Sequence, residues 1–364
     1  MKSAYSMKAN PNIFKFRRSA NAEKPRVAGH ESDMLKRFKV LQANCENALS
    51  GPLLEAYRYH FNAPGKMIRA QLAFRSAVTH SASEADADRW GFAVELIHNA
   101  SLIHDDICDS DLVRRGRKSA MAKFGHQTAL CLGDAIIAHS FGLLSRESIP
   151  RVLIAKLASM VKDCSGGQAQ EFDTCGYPDW SKYCEIAGGK TASLLAGAVE
   201  GGALFDPTVG DNPILSKCCY RLALVYQMLN DTRNIVASMH SRIPSSDFSN
   251  RRPNAVIVLF RDSLNTDERE GFDISVSGKT HGNGSIDALA ENFWWERLVT
   301  SNIGSTAADK IATLMRETKS DFEQLPFAMQ QIISPLLAHA TKVVAEQNLV
   351  LSNQSTLHAK KRNG

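Results

Sequence analysis

The sequence lacks the features that mark several classes of protein. The eight cysteines, at 45, 108, 131, 164, 175, 184, 218 and 219, form no C-x-x-C pair and no repeated metal-ligand spacing. We therefore expect free thiols in a reducing compartment, not a disulfide framework or a zinc site. No run of residues reaches the ~18 apolar positions of a membrane span, and no apolar h-region indicates secretion. The sequence predicts a soluble, cytoplasmic protein without a transmembrane segment.

Strand patterns and a strong charge imbalance are also missing. Alternating, β-branched runs bounded by turns do not occur, so we expect no sheet. The net charge is only +5, and much of the basic excess lies at the two ends of the chain, so we expect no nucleic-acid partner. We predict a basic disordered arm over residues 1–30 and a polar basic tail over 353–364. An organelle-targeting peptide is less favoured, because the arm lacks strong amphipathic periodicity.

Helical periodicity dominates the rest of the sequence, with apolar residues three and four positions apart between Gly, Pro and Ser clusters. The predicted helices cover about 32–50, 66–80, 84–104, 118–123, 127–146, 150–173, 181–204, 212–238, 253–264, 284–300, 305–323 and 327–351. Several are apolar on more than one side, which is typical of a large bundle with a central layer. We predict an all-α, single-domain bundle over 31–352, with long loops at about 240–284.

An acidic motif, His104-Asp105-Asp106-Ile107-Cys108-Asp109, follows an apolar, helix-periodic stretch. Asp105 and Asp109 are one turn apart and share a face near the end of this helix. Two carboxylates on one face, trailed by paired arginines, are costly unless a polyvalent ligand binds there. Mg²⁺ carrying a diphosphate suits them, because this ion prefers carboxylate, water and phosphate oxygens. A solvated acidic helix end is the alternative interpretation.

Other polar residues gain meaning only in combination. Lys66 and Arg69 lie at i and i+3 just inside a predicted helix start, where cations beside free backbone amides favour an anion, although a solvated basic turn fits as well. His98 lies two turns before Asp105 on the same side, and is either a ligand contact or a core histidine. Lys190 lies within an apolar helix, where a lysine normally snorkels, so alone it is uninformative.

A second polar motif, Asn230-Asp231-Thr232-Arg233-Asn234, ends another apolar helix. Asn230 and Asn234 are one turn apart and carry amide oxygens. If the two helix ends face each other, they would hold a metal-diphosphate cluster between them.

The order of these features resembles the trans-isoprenyl diphosphate synthases, the polyprenyl synthetase family, over about residues 60–260. The resemblance rests on Gly65-Lys66-x-x-Arg69, Glu95-Leu96-Ile97-His98 before Asp105-Asp106-x-x-Asp109, Arg114-Arg115-Gly116, Phe124-Gly125, Gly133-Asp134, Gly167-Gln168, Lys190-Thr191 and Tyr226-Gln227. Each motif alone is weak, whereas their combined order and spacing is specific. The resemblance implies a helical bundle of the isoprenoid synthase type around a central substrate cavity, Mg²⁺ as cofactor and a homodimer.

The activity implied is a trans-prenyltransferase that condenses an allylic diphosphate with isopentenyl diphosphate, by ionisation, condensation and proton elimination. The resemblance assigns the Mg²⁺ ions of the allylic diphosphate to Asp105, Asp109, Asn230, Asp231 and Asn234, with Asp106 and Arg114 in support. It assigns the diphosphate of isopentenyl diphosphate to Lys66, Arg69, His98 and Arg115, and the departing allylic group to Lys190, Thr191 and Gln227. Cations suit a leaving diphosphate on which negative charge develops, and apolar walls keep water from the allylic cation.

The second motif departs from the family, which usually has Asp-Asp-x-x-Asp there. An Asn carbonyl can ligate Mg²⁺ but lacks the negative charge, so we expect a weaker metal site on this side. Arg233 adds a positive charge nearby. Downstream, Asp247 and Asn250-Arg251-Arg252 only loosely match the Asp and the Gly-Lys pair of the family.

Two alternatives follow from that departure. One is a class I terpene synthase that ionises and cyclises the same substrate, since Asn230, Asn234 and Ser238 are faintly similar to the Asn-Ser-Glu metal motif of such enzymes. The other is a non-catalytic regulatory subunit or binding protein. A cyclase has no use for the acceptor residues, and an inert subunit has no reason to keep Asp105 and Asp109. Elongation is therefore the favoured interpretation.

Product length is indicated by two small residues. In the family, side chains four and five positions before the first Asp cap the growing chain, and here they are Ser101 and Ala100. A product of C20 or longer is favoured, although Phe141 or Met160 could supply the cap instead.

Overall fold

The computed structural model describes residues 27–63, 65–173, 176–210, 212–239, 243–276 and 288–362, and these are almost entirely helical. The helices are α1 (Val27–Asn47), α2 (Gly51–Phe61), α3 (Ile68–Thr79), α4 (Glu84–Cys108), α5 (Ala120–Phe124), α6 (His126–Leu144), α7 (Val152–Asp173), α8 (Trp180–Ala203), α9 (Pro213–Met239), α10 (Ser246–Ser249), α11 (Ala255–Ser263), α12 (Thr266–Val276), α13 (Ala288–Thr300), α14 (Ile303–Glu323) and α15 (Phe327–Arg362). In the described ranges, strands are confined to one antiparallel hairpin, β1 (Val113–Arg114) and β2 (Arg117–Lys118). The all-α prediction is confirmed.

Helix α8 is the central element of the bundle. It packs against α3, α7 and α9, while α4 packs against α3 and α6, and α14 covers α9. At Gly201 of α8 a Cβ atom would collide with the ring of Trp90 on α4, so a glycine is needed for this close approach. Trp90 is fully buried, and its indole N–H donates to the Ala198 carbonyl at 3.0 Å. This packing fixes α4, which carries the acidic motif, against α8, which carries Lys190.

The apolar interior forms three clusters of buried side chains. One joins α1 to α8 around Trp90 and Phe92, and another joins α8 and α9 to α11, α14 and α15. A third, aromatic cluster surrounds Phe272, which stacks on Tyr177 and meets Trp294 edge to face. Burying one such side chain contributes about 1.5–3 kcal/mol, so these clusters hold the helices that position the polar residues.

The structure differs from the predicted elements at several positions. The β1–β2 hairpin lies where we expected no sheet, and α1 begins at Val27, within the predicted arm. Residues 51–61 form α2, which has Pro52 in its first turn, a position where proline costs no helical hydrogen bond. Within 240–284 we predicted long loops around one helix at 253–264; α11 confirms that helix, whereas α10 and α12 form where loops were expected. Helix α15 continues to Arg362, into the predicted tail. Most of the predicted arm lies outside the described residues, which begin at Val27.

Helix α6 is the one described helix that is long and apolar enough to span a membrane by length and composition. About one third of its most apolar stretch is buried. Core helices of globular proteins pass the same test. Leu130, on this helix, is 50% exposed.

Candidate active site

The first acidic motif lies at the C-terminal end of α4. Asp105 occupies the last turn, and Asp109 is the C-cap residue, whose backbone N–H donates to the Asp105 carbonyl at 2.8 Å. The two side chains therefore lie one turn apart near the helix end, as the spacing predicts.

The side chains of Asp105 and Asp109 are both partly buried. Burial raises the pKa of Asp109 to about 6; Arg252 and Lys190 oppose this shift, and Glu171 and Asp105 add to it. Burial also raises the pKa of Asp105. A carboxylate with a raised pKa is stabilised in its charged form by a nearby cation. The pair is thus suited to a divalent ion.

Asp106, between them in sequence, points elsewhere. It is fully buried, and its Oδ1 accepts a hydrogen bond from Nε of Arg114 at 2.8 Å. Burial raises the pKa of Asp106, whereas Arg114 lowers it. Its role in this structure is to hold Arg114.

The arginine pair lies on the β-hairpin. Arg115 and Gly116 form its two-residue turn, and both have positive φ angles, 52° and 74°. Turns with positive φ at both central residues match the twist of a hairpin. The turn directs the two arginines to different partners. Arg114 binds Asp106, and Nη1 of Arg115 donates to the carbonyl of Ala63.

Lys190 joins the first motif to α7. Its Nζ lies 2.5 Å from Oε2 of Glu171. Burial lowers the pKa of Lys190, but Asp105, Glu171 and Asp109 outweigh it and raise the pKa overall. Glu171 was not among the predicted site residues. The sequence signal that could have identified Glu171 is its position three residues after Gln168, on the same helix as the Gly167-Gln168 motif.

A close helix crossing sets the position of Lys190. A Cβ atom at Gly167 would lie 2.7 Å from the backbone nitrogen of Lys190, so only glycine allows α7 and α8 to approach here. The neighbouring Gln168 has both amide atoms buried without a partner among the described residues. Thr191 follows on α8 and is partly buried. The amide group of Gln168 is therefore available to bind a ligand near the α7–α8 crossing that holds Lys190.

Asp231 of the second motif is tied to the protein. Oδ2 accepts hydrogen bonds from the Tyr183 hydroxyl at 2.7 Å and from the Ala255 backbone N–H at 2.8 Å. Oδ1 accepts one from Nε2 of Gln227 at 2.8 Å. Burial raises the pKa of Asp231 to about 7, against the lowering effect of Ala255, Tyr183 and Gln227. Asp231 and Gln227 are hydrogen-bonded to each other within α9, so both side chains are engaged within the protein.

The two asparagines lie inside α9, which continues to Met239, so this motif does not end its helix as predicted. Nδ2 of Asn234 donates to Oγ of Ser246 at 3.2 Å, whereas its Oδ1 is buried without a partner among the described residues. Asn230 is partly exposed, and Arg233 is exposed. The orphaned amide oxygen of Asn234 is the group on this side best placed to meet a cation.

One short segment, residues 252–255, joins the two motifs. Nη2 of Arg252 donates to the Asp109 carbonyl at 2.6 Å and to Oδ1 of Asp111 at 3.0 Å. Two residues later, Nδ2 of Asn254 donates to the Asp231 carbonyl at 3.2 Å. The preceding Arg251 has a φ of 55°, in the left-handed region that favours glycine.

Two of the predicted acceptor residues, Arg69 of α3 and His98 of α4, are in contact two turns before Asp105. Nη1 of Arg69 lies 3.3 Å from Nε2 of His98. Burial, followed by Arg69 and Arg115, lowers the pKa of His98 well below its ordinary value, so the ring is neutral and can accept from Arg69. Lys66 is exposed, and its Nζ lies 3.5 Å from Nε2 of His339 on α15, a neighbour that the sequence pattern did not reveal.

The residues present fit Mg²⁺. Asp105, Asp109 and Glu171 supply carboxylates, and the raised pKa of Asp109 and the orphaned amide atoms of Gln168 mark charge and polarity that the protein leaves uncompensated. Among the described residues, no three His, Cys, Asp or Glu side chains form a ready-made metal cage. Mg²⁺ is commonly held by one or two carboxylates together with substrate phosphates and water.

Comparisons with known proteins identify the family of the chain. A family model described as polyprenyl synthetase matches residues 51–292. The short chain isoprenyl diphosphate synthase of Methanothermobacter thermautotrophicus is 30% identical over 241 residues, which cover 62% of this chain and 72% of that protein. The farnesyl diphosphate synthase of Escherichia coli is 32% identical over 202 residues, covering 51% of this chain and 67% of that protein.

Solved structures share the fold. A decaprenyl diphosphate synthase from Rhodobacter capsulatus superposes with a TM-score of 0.72 at 20% identity, covering 88% of this chain and 98% of that one. A polyprenyl synthase from Caulobacter crescentus, complexed with calcium and isoprenyl diphosphate, superposes with a TM-score of 0.69 at 20% identity, covering 88% and 96%.

Proposed function

The chain belongs to the polyprenyl synthetase family of trans-prenyltransferases, and we propose that it condenses an allylic diphosphate with isopentenyl diphosphate to give a longer trans-prenyl diphosphate. The observation that carries the proposal is the presence of two separate polar sets along α4, the Asp105–Asp109 pair and His98 with Arg69 of α3. Asp105 and Asp109 lie at its end, and the Arg69–His98 contact lies two turns earlier. A condensation needs both an ionising site and an acceptor site, whereas a cyclase needs only the first.

Each set has a distinct task in this reaction. Asp105, Asp109 and Glu171 would hold Mg²⁺, which when bound neutralises the diphosphate of the allylic substrate. Lys190 and Arg114 stabilise the negative charge that develops on this leaving group. Arg69, His98, Arg115 and Lys66 hold the diphosphate of the acceptor so that its alkene faces the allylic carbon. The released diphosphate takes the final proton, so no side chain need be a strong base.

The second motif makes a weaker contribution to metal binding in this proposal. Asn230 and Asn234 offer neutral amide oxygens, and both carboxylate oxygens of Asp231 already accept hydrogen bonds. We assign Asp231 to holding α9, α8 and the 252–255 segment together, through Tyr183 and Ala255. The metal on this side then depends on Asn230 and Asn234.

A product of about C20 is the finer part of the proposal. Ala100 is buried, and Ser101, which is partly buried, donates to the His98 carbonyl at 2.8 Å, so neither projects a bulky side chain. Met160 is 2% exposed and fits against Gly197, where a Cβ atom would lie 2.5 Å from Cγ of Met160. The Met160 side chain is therefore a candidate for the end of the product channel.

A homodimer and a cytoplasmic location complete the proposal. Helix α6 is apolar yet only one third buried, and Leu130 is half exposed, which is what a helix covered by a second copy would show. The native mass in solution, measured by light scattering, tests the dimer.

The seven described cysteines are free, as in a reducing compartment.

Incubating the purified protein and Mg²⁺ with farnesyl diphosphate, with and without isopentenyl diphosphate, tests the activity. Longer prenyl diphosphates that form only with the acceptor support elongation. Hydrocarbons that form without it would indicate a terpene synthase, and no turnover of any substrate would indicate an inert subunit. Asp105→Ala should abolish activity, whereas Asp309→Ala, which removes an exposed acid on α14, should not.

A further inference from the structure

Behind the acceptor residues lies a buried polar cluster formed by Glu95 and Asn99 of α4 and His60 of α2. Glu95 and Asn99 are each 2% exposed, and His60 is 6% exposed. Buried polar groups are costly unless they are hydrogen-bonded, and a buried charge is more costly still. The cluster therefore needs an explanation beyond packing.

The hydrogen bonds within the cluster have one consistent direction. Nδ2 of Asn99 donates to Oε1 of Glu95 at 3.1 Å and to the Glu95 carbonyl at 2.8 Å. Its Oδ1 lies 3.0 Å from Nε2 of His60. Because the amide nitrogen already faces two acceptors, the oxygen accepts and His60 donates from Nε2. Burial lowers the pKa of His60 to about 4, which keeps the ring neutral.

The free end of this chain of bonds faces the acceptor arginines. Oε2 of Glu95 accepts no hydrogen bond from a side chain among the described residues, and the buried Nε of Arg69 has no partner there either. The backbone N–H of Ala70, next to Arg69, helps to lower the pKa of Glu95. Burial lowers the pKa of Arg69, and Glu95 is the largest influence that opposes this lowering. Arg69 and Arg115 in turn favour the charged form of Glu95. One carboxylate thus balances two guanidinium groups without pairing tightly to either.

We propose that Glu95, fixed by Asn99 and His60, is a positioning residue that aims Arg69 and Arg115 at the diphosphate of the acceptor. The inference rests on the proposed function and assigns a role to three residues that do not touch substrate. A loosely held guanidinium keeps its N–H groups available, whereas a saturated ion pair would have to break before binding a diphosphate. The hydrogen bond from Asn99 holds Oε1 of Glu95, and the contact with His60 holds Asn99, so the orientation of the Glu95 carboxylate is fixed.

A purely electrostatic role for Glu95 makes the opposite prediction. Removing a negative charge near an anion site would strengthen binding of isopentenyl diphosphate. If Glu95 instead positions the arginines, its neutral analogue leaves Arg69 without its balancing carboxylate, and binding weakens. The direction of the change therefore distinguishes positioning from simple charge.

Steady-state kinetics of Glu95→Gln test the proposal on the full-length enzyme. We expect the KM for isopentenyl diphosphate to rise about tenfold, with the KM for the allylic substrate and kcat within about twofold of the unchanged enzyme. Asn99→Ala keeps the charge and removes its anchor, so it should raise the same KM about threefold. The control is Asp88→Asn, a buried acid that pairs with Arg37 far from the acceptor residues, which should lower stability and leave both KM values unchanged.

An unchanged or lower KM for isopentenyl diphosphate in Glu95→Gln would overturn the positioning role. An equal rise in both KM values would also overturn it, because that is the pattern of general structural damage. Calorimetric titration of the same proteins with isopentenyl diphosphate keeps the test independent of turnover. If the unchanged enzyme elongates but the variants bind normally, only this inference fails, whereas absence of acceptor binding by the unchanged enzyme removes the proposed function as well.

Discussion

Arg252 donates a hydrogen bond from Nη2 to the carbonyl oxygen of Asp109 at 2.6 Å. Its guanidinium thereby lies beside the carboxylates of Asp109 and Asp111, at the end of the helix that carries the first acidic motif. The contact connects this motif to the segment whose Ala255 N–H holds Asp231. The two halves of the site are therefore linked by protein before any metal binds.

Arg252→Gln should destabilise the protein most when Mg²⁺ is absent. Without the guanidinium, the neighbouring carboxylates repel each other, and a charge-assisted hydrogen bond is lost, at a cost of about 1.5–3 kcal/mol. A saturating concentration of Mg²⁺ should recover much of this loss, because the ion supplies the missing positive charge. Thermal unfolding with and without Mg²⁺ measures the difference.

Arg261→Gln is the matched control. Arg261 makes two 2.7 Å hydrogen bonds to Asp273, away from the acidic motif. Its loss should destabilise the protein equally with and without Mg²⁺. If Mg²⁺ fails to stabilise Arg252→Gln more than Arg261→Gln, the proposed proximity of Arg252 to the metal site is wrong.

Asn230→Asp should lower the Mg²⁺ concentration needed for half-maximal activity by roughly threefold to tenfold. A carboxylate adds the negative charge that an amide oxygen lacks, and Ca²⁺ and Mg²⁺ sites are tuned by the charge of their ligands. Asn302→Asp, which adds the same charge at the N-cap of α14, serves as the control. An unchanged Mg²⁺ requirement in Asn230→Asp would remove the argument that this side binds metal weakly.

The sequence was most informative where one helix carries the whole pattern. Asp105, Asp109 and His98 are all on α4, so their spacing alone placed them on one face. It was less informative about Asp231, whose three hydrogen-bond donors come from residues 183, 227 and 255. Gln227 lies one turn earlier on α9, but local spacing cannot show that Tyr183 and Ala255, from distant segments, also donate to this carboxylate.

Helix α12 shows a second limit of periodicity. Its described buried side chain is the single aromatic Phe272, and its first turn is acidic. With so few apolar positions, the segment has the composition of a loop, and its helix is stabilised by the tertiary packing of Phe272 against Tyr177, Phe260 and Trp294. Glu171 was missed for a similar reason, since only the α7–α8 crossing brings it to Lys190.

Burial of His60 should make stability depend on pH. The pKa of His60 is about 4 in the folded protein and about 6.5 when unfolded, so below pH 6.5 the unfolded chain takes up a proton that the folded protein does not. Stability is then fully present above pH 6.5 and is lost as the pH falls toward 4, by about 3 kcal/mol from this group. Urea unfolding at pH 7.5, 5.5 and 4.5 should show a smaller loss for His60→Gln. Equal losses in both proteins would contradict the assignment.

Ser101→Phe should shorten the product by at least one five-carbon unit. A phenyl group one turn before Asp105 would fill the space into which the chain grows from the allylic site. Val40→Phe adds the same group at an exposed position on α1 and should leave product length unchanged. Chromatography of the dephosphorylated products measures the distribution, and equal lengths for Ser101→Phe and the unchanged enzyme would exclude Ser101 from the channel.

The fate of a ¹³C-labelled acceptor tests chain elongation most directly. Purified protein, Mg²⁺, unlabelled farnesyl diphosphate and labelled isopentenyl diphosphate are incubated together, and the product diphosphates are analysed by mass spectrometry. We expect a product of about C20 that carries one labelled five-carbon unit. An unlabelled hydrocarbon or alcohol as the main product would contradict elongation.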